Sequence, residues 1–410
     1  MSLAVIWDGE VGRLERVDER AREYAFRYTT PEARAISLSL PLHEEPFTPA
    51  ESRPFFEALL PEGPVREQVA RQLRLAPGDS YGLLERLGRD CAGALQIVAT
   101  DEPPLVPATY WLDDGELDRL VAGLPRWPLG IRGRSGRVRL SLAGVQRKAV
   151  LVRDRAGRLG EPLEGMPSTH ILKPDPLDAD LPGLAVNECF CMRLATRCGL
   201  PTAPVELIEA AGRRCLLVER FDRDHTTWPP KRLHQEDLCQ ALGLTPDFKY
   251  QHADWTLPSY RALADLLDGH SLQPGLDRLA AARAAVFHFL VGNADAHAKN
   301  VALLHVPGGI RFAPLYDVVA TAAYDDVDTE LALAIGDELD PAAIGVAHWS
   351  DLAHDFGLQA RAFERVRAEL TERALAESRR LRDEARAEGW HDPVHDRIVE
   401  LIAARAAQVA

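Results

Sequence analysis

Asn293-Ala294-Asp295-Ala296-His297-Ala298-Lys299-Asn300, followed seventeen residues later by Asp317 within Leu315-Tyr316-Asp317-Val318, is the stretch on which the reading of this chain turns. An acid, an amide five positions on and a second acid beyond a short apolar hairpin make up the donor set of a phosphoryl-transfer site. Asp295 can orient an attacking hydroxyl and accept its proton, while Asn300 and Asp317 offer oxygens to the magnesium that neutralises ATP phosphates. The alternative is an Asp-rich loop whose carboxylates cap nearby backbone groups. The flanks favour the first reading. Apolar residues recur at helical spacing from Leu276 to Val291, and Gly292-Asn293 stops that helix. Beyond Asn300, two apolar runs, Val301 to Val306 and Ile310 to Leu315, are separated by Pro307-Gly308-Gly309, which is hairpin chemistry. Ligands at the two ends of one hairpin can converge on one ion.

A phosphoryl-transfer enzyme also needs a nucleotide-holding lobe. Thr169-His170-Ile171-Leu172-Lys173 reads as a strand ending on Lys173, and Asn187-Glu188 opens an apolar helix running to Arg197. A strand lysine held by a helix glutamate, so that its ammonium meets the α- and β-phosphates, is a recurring kinase device. Taken alone, the pair also reads as a strand-end lysine and a first-turn glutamate that favours the helix dipole. Arg214 to Asp222 is an apolar strand that turns abruptly polar, as a hinge between lobes does. The backbone groups of Glu219 and Phe221 would there meet an adenine edge. Asp222 reads equally as a surface salt-bridge partner of Arg220 or Arg223. No Gly-x-Gly-x-x-Gly precedes Lys173. In its place stand Ser141, Leu142, Ala143 and Gly144, small enough in part for backbone N–H groups to approach phosphate. Around them Arg132, Arg134, Arg137, Arg139, Arg147 and Lys148 form a basic island, which reads equally as a solvated loop.

With these residues in place the chain resembles the HipA-type serine/threonine kinases, toxins of bacterial type II toxin–antitoxin pairs. The likeness extends over nearly the whole sequence. It includes Leu38-Ser39-Leu40-Pro41-Leu42, Phe55-Phe56-Glu57-Ala58-Leu59-Leu60-Pro61, Gly88-Arg89-Asp90-Cys91-Ala92-Gly93-Ala94-Leu95 and the segment Leu233 to Leu242. The resemblance implies an α+β, protein-kinase-like two-lobe fold with an amino-terminal α/β subdomain and a mainly helical carboxy-terminal lobe. It implies Asp295 as catalytic base, Asn300 and Asp317 as Mg2+ ligands, Lys173 as the ATP phosphate lysine, and Glu219 and Phe221 as the adenine hinge. Ser141 matches the serine on which family members phosphorylate themselves, ejecting the phosphate loop. The added charge beside ATP phosphates gives a physical reason for the silencing. Implied partners are a HipB-like helix-turn-helix antitoxin, operator DNA mainly through that antitoxin, and an aminoacyl-tRNA synthetase as substrate. Phosphorylation of that enzyme would arrest translation and growth, the route to persistence.

Composition agrees with this picture. At 410 residues, with 46% hydrophobic content, the chain supports a sizeable core. Three prolines within Asp101 to Pro107 mark a linker. The expected division is residues 1–105, an amino-terminal subdomain; 106–220, the nucleotide lobe; and 221–410, the helical catalytic lobe, which contains charged amphipathic stretches such as Ala360 to Glu388. A net charge of −14, from 48 basic and 62 acidic residues, opposes broad nucleic-acid binding by this surface. No run of about 18 apolar residues exists to span a bilayer, and the amino terminus reads as a strand and turn, so a cytoplasmic location without membrane contact is expected. The six scattered cysteines lack paired spacing and read as reduced core thiols, with no structural metal. Two other classes stay open: a kinase of this fold acting on a small-molecule or lipid hydroxyl, and a catalytically silent co-repressor scaffold.

Overall fold

The computed structural model describes residues 2–17, 23–30, 33–101, 106–130, 146–163, 165–177, 181–252, 254 and 256–408. The chain packs as two compact units: Met1–Pro174 with Glu209–Arg213 and Leu217–Asp247, and Asp175–Ile208 with Arg214–Leu216 and Phe248–Ala410.

The first unit begins with alternating sequence that folds as an antiparallel sheet. Strand Ser2–Ile6 lies between Glu10–Arg16 and Gln96–Ala99, and Tyr24–Tyr28 pairs on the far side of Glu10–Arg16. Alternate side chains Tyr24, Phe26 and Tyr28 turn inward, as the two-residue period of a strand demands. They meet Phe55 and Phe56 from helix Pro49–Ala58, and Leu83, Leu84 and Leu87 from helix Ser80–Leu87. Thr48 starts the first of these helices by a reciprocal capping box with Glu51. A second sheet in this unit runs Ala108–Trp111, Leu159–Leu163, Ala149–Arg153, His170–Pro174, each antiparallel to its neighbour. It carries Lys173.

The second unit is built around helix Pro274–Val291, which is apolar nearly all round because other helices cover it. Helices Tyr260–His270, Ala360–Glu388 and Pro393–Gln408 all touch it, as does strand Gly309–Phe312. Helix Ala360–Glu388 has the bounds read from the sequence, and it buries Phe363, Leu370, Ala374, Leu381 and Ala385 as one stripe at alternating seven- and four-residue steps. The expected hairpin forms between Ala302–Val306 and Gly309–Phe312. Arg311 in its second strand grips the buried Asp277 carboxylate with two nitrogens, at 2.8–3.1 Å, which ties the hairpin to the first turn of the central helix.

One boundary differs from the sequence reading. The helix expected to open at Asn187-Glu188 runs Leu184–Arg197, placing Glu188 in its second turn, buried. Its early start has a cause: the Asp175 carboxylate accepts the Ala185 N–H at 2.7 Å, a cap supplied from outside the helix. All six cysteines are buried free thiols. Among the described residues no helix is long and apolar enough to cross a membrane.

Candidate active site

The loop bearing Asp295 is shaped by its own backbone requirements. Helix Pro274–Val291 ends at Gly292, which adopts φ +68°. A Cβ there would lie 2.4 Å from Leu401 Cδ2 and 2.9 Å from Ala322 Cβ, so only glycine satisfies both the left-handed turn and the close packing. Asn293 follows, buried. Its Oδ1 accepts the Asp295 N–H at 3.1 Å, and its Nδ2 lies 3.1 Å from His288 Nδ1. Burial pulls His288 down to about 4, so the ring is neutral at physiological pH and Nδ1 can act as acceptor.

Further bonds fasten the same loop. Ala294 N–H donates to Thr321 Oγ1 at 2.8 Å, and Ala322 N–H donates to the Gly292 carbonyl at 3.0 Å. The Asp295 carbonyl accepts from His297 N–H at 2.8 Å and from Asn300 Nδ2 at 2.9 Å. The backbone of Asp295 is thus held on both sides, while its carboxylate stays 52% exposed. That carboxylate accepts the Tyr250 hydroxyl at 2.6 Å and lies 3.9 Å from His297 Nε2. A rigid backbone under an open carboxylate is what a group that must meet an incoming hydroxyl requires.

Asn300 closes the short 3-10 turn Ala298–Asn300. Because the amide is planar, giving Nδ2 to the Asp295 carbonyl turns Oδ1 to the other side. The hairpin then returns the chain to Leu315, whose N–H and carbonyl bond Pro201 and Ala203 at 2.8 and 2.9 Å. Tyr316 donates its hydroxyl to the Lys299 carbonyl at 2.7 Å, so the segment before Asp317 is anchored to the loop before Asn300. Asp317 itself adopts φ +56°, a left-handed conformation that Asp tolerates better than most residues. Just beyond it, Asn187 accepts the Ala320 N–H at 2.8 Å and donates to the Ala320 carbonyl at 3.1 Å. Asn300 and Asp317 offer an amide and a carboxylate oxygen, the hard donors that magnesium prefers. Among the described residues no three His, Cys, Asp or Glu side chains form a metal-holding group.

Lys173 is buried near the end of strand His170–Pro174 in the first unit, and Glu188 is buried in the second. Glu219 ends strand Arg213–Glu219. Next to it, Arg220 donates its N–H to the Thr169 carbonyl at 2.9 Å, and its own carbonyl faces His225 Nε2 at 3.3 Å. The alternative of a surface Asp222 is corrected in its placement alone: it pairs with both Arg220 and Arg223 but is buried, because a distant segment encloses it, with Gly93 N–H donating to its carboxylate. Ser141, Leu142, Ala143 and Gly144, with Arg132, Arg134, Arg137 and Arg139, lie outside the described residues.

The sequence reading missed several supports of this site. Tyr250 precedes Asp295 by 45 residues and lies in no periodic pattern. In sequence Asn187 reads only as a helix opener, yet it clasps the chain after Asp317. Asn293 reads as a helix stop, and its adjacency to Asp295 is the one available signal of a second role.

Comparison with known proteins places the chain as a whole. The chain matches the HipA N-terminal domain over residues 3–98 and the HipA-like C-terminal domain over residues 140–378. It is 39% identical over 372 residues to Y4mE of Sinorhizobium fredii, named as a kinase, covering 87% of this chain and 86% of that protein. It is 32% identical over 346 residues to the serine/threonine-protein kinase toxin HipA of Shewanella oneidensis, covering 80% and 77%. A solved structure of the Shewanella oneidensis MR-1 toxin–antitoxin system, HipA and HipB with operator DNA, matches with TM-score 0.83 and 27% identity, over 99% of this chain and 97% of that one. The α+β, kinase-like fold expected from the sequence is therefore the observed one. From matches over most of its sequence and nearly all of its structure, the chain belongs to the HipA family of kinase toxins.

Proposed function

We propose that this kinase is a toxin that transfers the ATP γ-phosphate to a serine or threonine of an aminoacyl-tRNA synthetase and to its own Ser141, arresting translation in the cytoplasm. The observation that carries the catalytic part is the loop that holds the Asp295 backbone through Asn293 and Asn300, and that of Ala294 beside it through Thr321, while leaving the carboxylate open. Asp295 orients the acceptor hydroxyl and takes its proton. Asn300 and Asp317 would hold Mg2+, which when bound supplies positive charge against the phosphate oxygens. Lys173 meets the α- and β-phosphates. With the Arg220 N–H bonded to Thr169, the planar peptide turns the Glu219 carbonyl to the opposite side, where an adenine would lie, and Phe221, in the turn that follows the strand, would supply the second backbone group.

The likeness to a HipA solved with HipB and operator DNA supports a HipB-like helix-turn-helix antitoxin as partner, with DNA reached mainly through it. The net charge of −14 fits an indirect route to DNA. Two experiments test the proposal. Purified protein given labelled ATP incorporates phosphate into itself, and Ser141→Ala abolishes that incorporation; retained labelling removes the autophosphorylation site. Phosphoproteomics after induced expression, comparing the intact chain with Asp295→Ala, reveals a synthetase phosphopeptide that depends on Asp295. If every Asp295-dependent phosphopeptide belongs to other proteins, the synthetase assignment is lost.

A further inference from the structure

The first unit contains a buried charge cluster that phosphoryl transfer does not use. Arg220, Asp222 and Arg223 follow strand Arg213–Glu219, and Asp90 comes from the amino-terminal segment; each is at most 4% exposed. Arg220 pairs in two-pronged fashion with Asp222, at 2.9 and 2.7 Å, and also donates to Ser168 Oγ and the Cys91 carbonyl, both at 2.8 Å. Arg223 donates to Asp90 at 2.9 Å, to the Ser168 carbonyl at 2.9 Å and to the Gly93 carbonyl at 2.9 Å. Asp90 also accepts the Ser168 N–H at 3.1 Å and Arg232 at 3.3 Å. Gly93 N–H donates to Asp222 at 2.7 Å.

Burial opposes every one of these charges, yet the surrounding arginines more than reverse it for Asp90 and Asp222, holding both well below the usual carboxylate range. Burial pulls Arg223 down to about 10, which still leaves it charged at neutral pH. Replacing such a cluster by apolar packing is often neutral or stabilising, so net stability is a poor explanation of it. Its geometric result is clearer. The Asp90 carboxylate, the Cys91 and Gly93 carbonyls and the Gly93 N–H grip side chains on either side of Phe221. Downstream, His234 Nε2 lies 2.7 Å from the Ile36 carbonyl, Glu236 accepts the Leu38 N–H at 3.1 Å, and Gln240 donates to the Phe55 carbonyl at 3.0 Å. The amino-terminal segment thereby clasps the chain through and beyond the hinge.

We infer that Asp90 and Asp222 are positioning residues for nucleotide binding: the amino-terminal subdomain braces the hinge so that the Glu219 and Phe221 backbone groups are preset for an adenine edge. This rests on the hinge reading given above. Preset groups bind more tightly because no ordering is left to be done when the ligand arrives.

The test measures dissociation constants for ATP and for GTP, whose base edge presents the opposite donor and acceptor pattern, on the full chain. Three variants are compared with it: Asp90→Asn, the milder Ser168→Ala, and Phe26→Leu, a core change in the four-stranded sheet that controls for general destabilisation. The intact protein is expected to prefer ATP. Asp90→Asn should weaken ATP about tenfold and Ser168→Ala about threefold, as loss of one or two buried hydrogen bonds would, with GTP binding unchanged. Phe26→Leu should alter neither. If Asp90→Asn fails to fold, Ser168→Ala decides. An intact protein that prefers ATP, with the preference undiminished in Ser168→Ala and in folded Asp90→Asn, overturns the brace and spares the hinge. Equal weakening by Phe26→Leu also overturns the brace. Intact protein that binds ATP and GTP equally removes the hinge reading, and the brace with it.

Discussion

Asp222 and Asp295 are both aspartates wrapped in hydrogen bonds, and the chain treats their charges in opposite ways. Around Asp222 the side chain itself is the point of attachment: two arginines and a backbone N–H use up its oxygens, and almost none of it meets solvent. Around Asp295 the attachment is to the backbone, through Asn293 and Asn300, and the carboxylate is left half in water with a tyrosine hydroxyl on one oxygen. The first arrangement turns a charge into a structural joint. The second keeps a charge available for chemistry and puts the rigidity elsewhere. The contrast teaches how to separate the two uses of aspartate in one molecule: one asks which atoms the neighbours hold.

The largest effect that follows is on turnover. Asp295→Asn should lower kcat by about 10³-fold, the range associated with a general base, while changing stability by no more than about 0.5 kcal/mol, because the altered oxygen is exposed. Steady-state phosphorylation with a urea unfolding curve checks both halves. A large stability loss would break the contrast from the Asp295 side. Asp222→Ala should do the reverse, lowering stability by about 3–5 kcal/mol because Arg220 and Arg223 are left buried without their shared counter-charge. The urea midpoint measures this; a shift near zero would mean the cluster has relaxed around the gap.

What could be read from sequence follows the same line. The helix before Asp295, the hairpin after Asn300 and the long helix Ala360–Glu388 are local patterns, and each forms close to where periodicity or turn residues put it. The buried state of Asp222 was illegible, because its surroundings come from residues 90–93 and 168, over fifty residues or more away in the chain. An Arg-Phe-Asp-Arg run looks the same on a surface as in a core. The early start of helix Leu184–Arg197 was missed for a like reason, since its cap is the carboxylate of Asp175, nine residues ahead of the helix. Three polar residues at that spacing pointed to the candidate site, whereas the groups that hold them gave no pattern.

Smaller effects sharpen the comparison around the loop that carries Asp295. Asn187→Ala removes both bonds to Ala320 and should lower stability by about 2–3 kcal/mol, since two backbone groups lose partners in a buried region. Activity should fall with it, read as a lower kcat at temperatures where the variant is still folded. His288 gives a pH signature. Its folded-state value of about 4 lies below the ordinary value, so the unfolded chain takes up the proton first as pH falls from about 6.5. Stability should therefore drop toward pH 4, by up to about 1.4 kcal/mol per pH unit from this group, and His288→Gln should flatten the slope of urea midpoint against pH by that share.

The smallest expected change is also the one that probes the open carboxylate most directly. Tyr250 donates to Asp295 from a ring that is itself partly exposed, so the bond contributes little to folding. Its effect is orientation: with one oxygen held by the phenol, the other is turned toward whatever hydroxyl arrives. Tyr250→Phe should leave the urea midpoint and the ATP KM unchanged and lower kcat about fivefold, corresponding to roughly 1 kcal/mol for one hydrogen bond to a charged group beside solvent. A rise in ATP KM with kcat unaltered would assign Tyr250 to nucleotide binding. An unaltered kcat with unaltered KM would mean that backbone restraint alone aims Asp295, and the division between side-chain anchoring at Asp222 and backbone anchoring at Asp295 would then be complete.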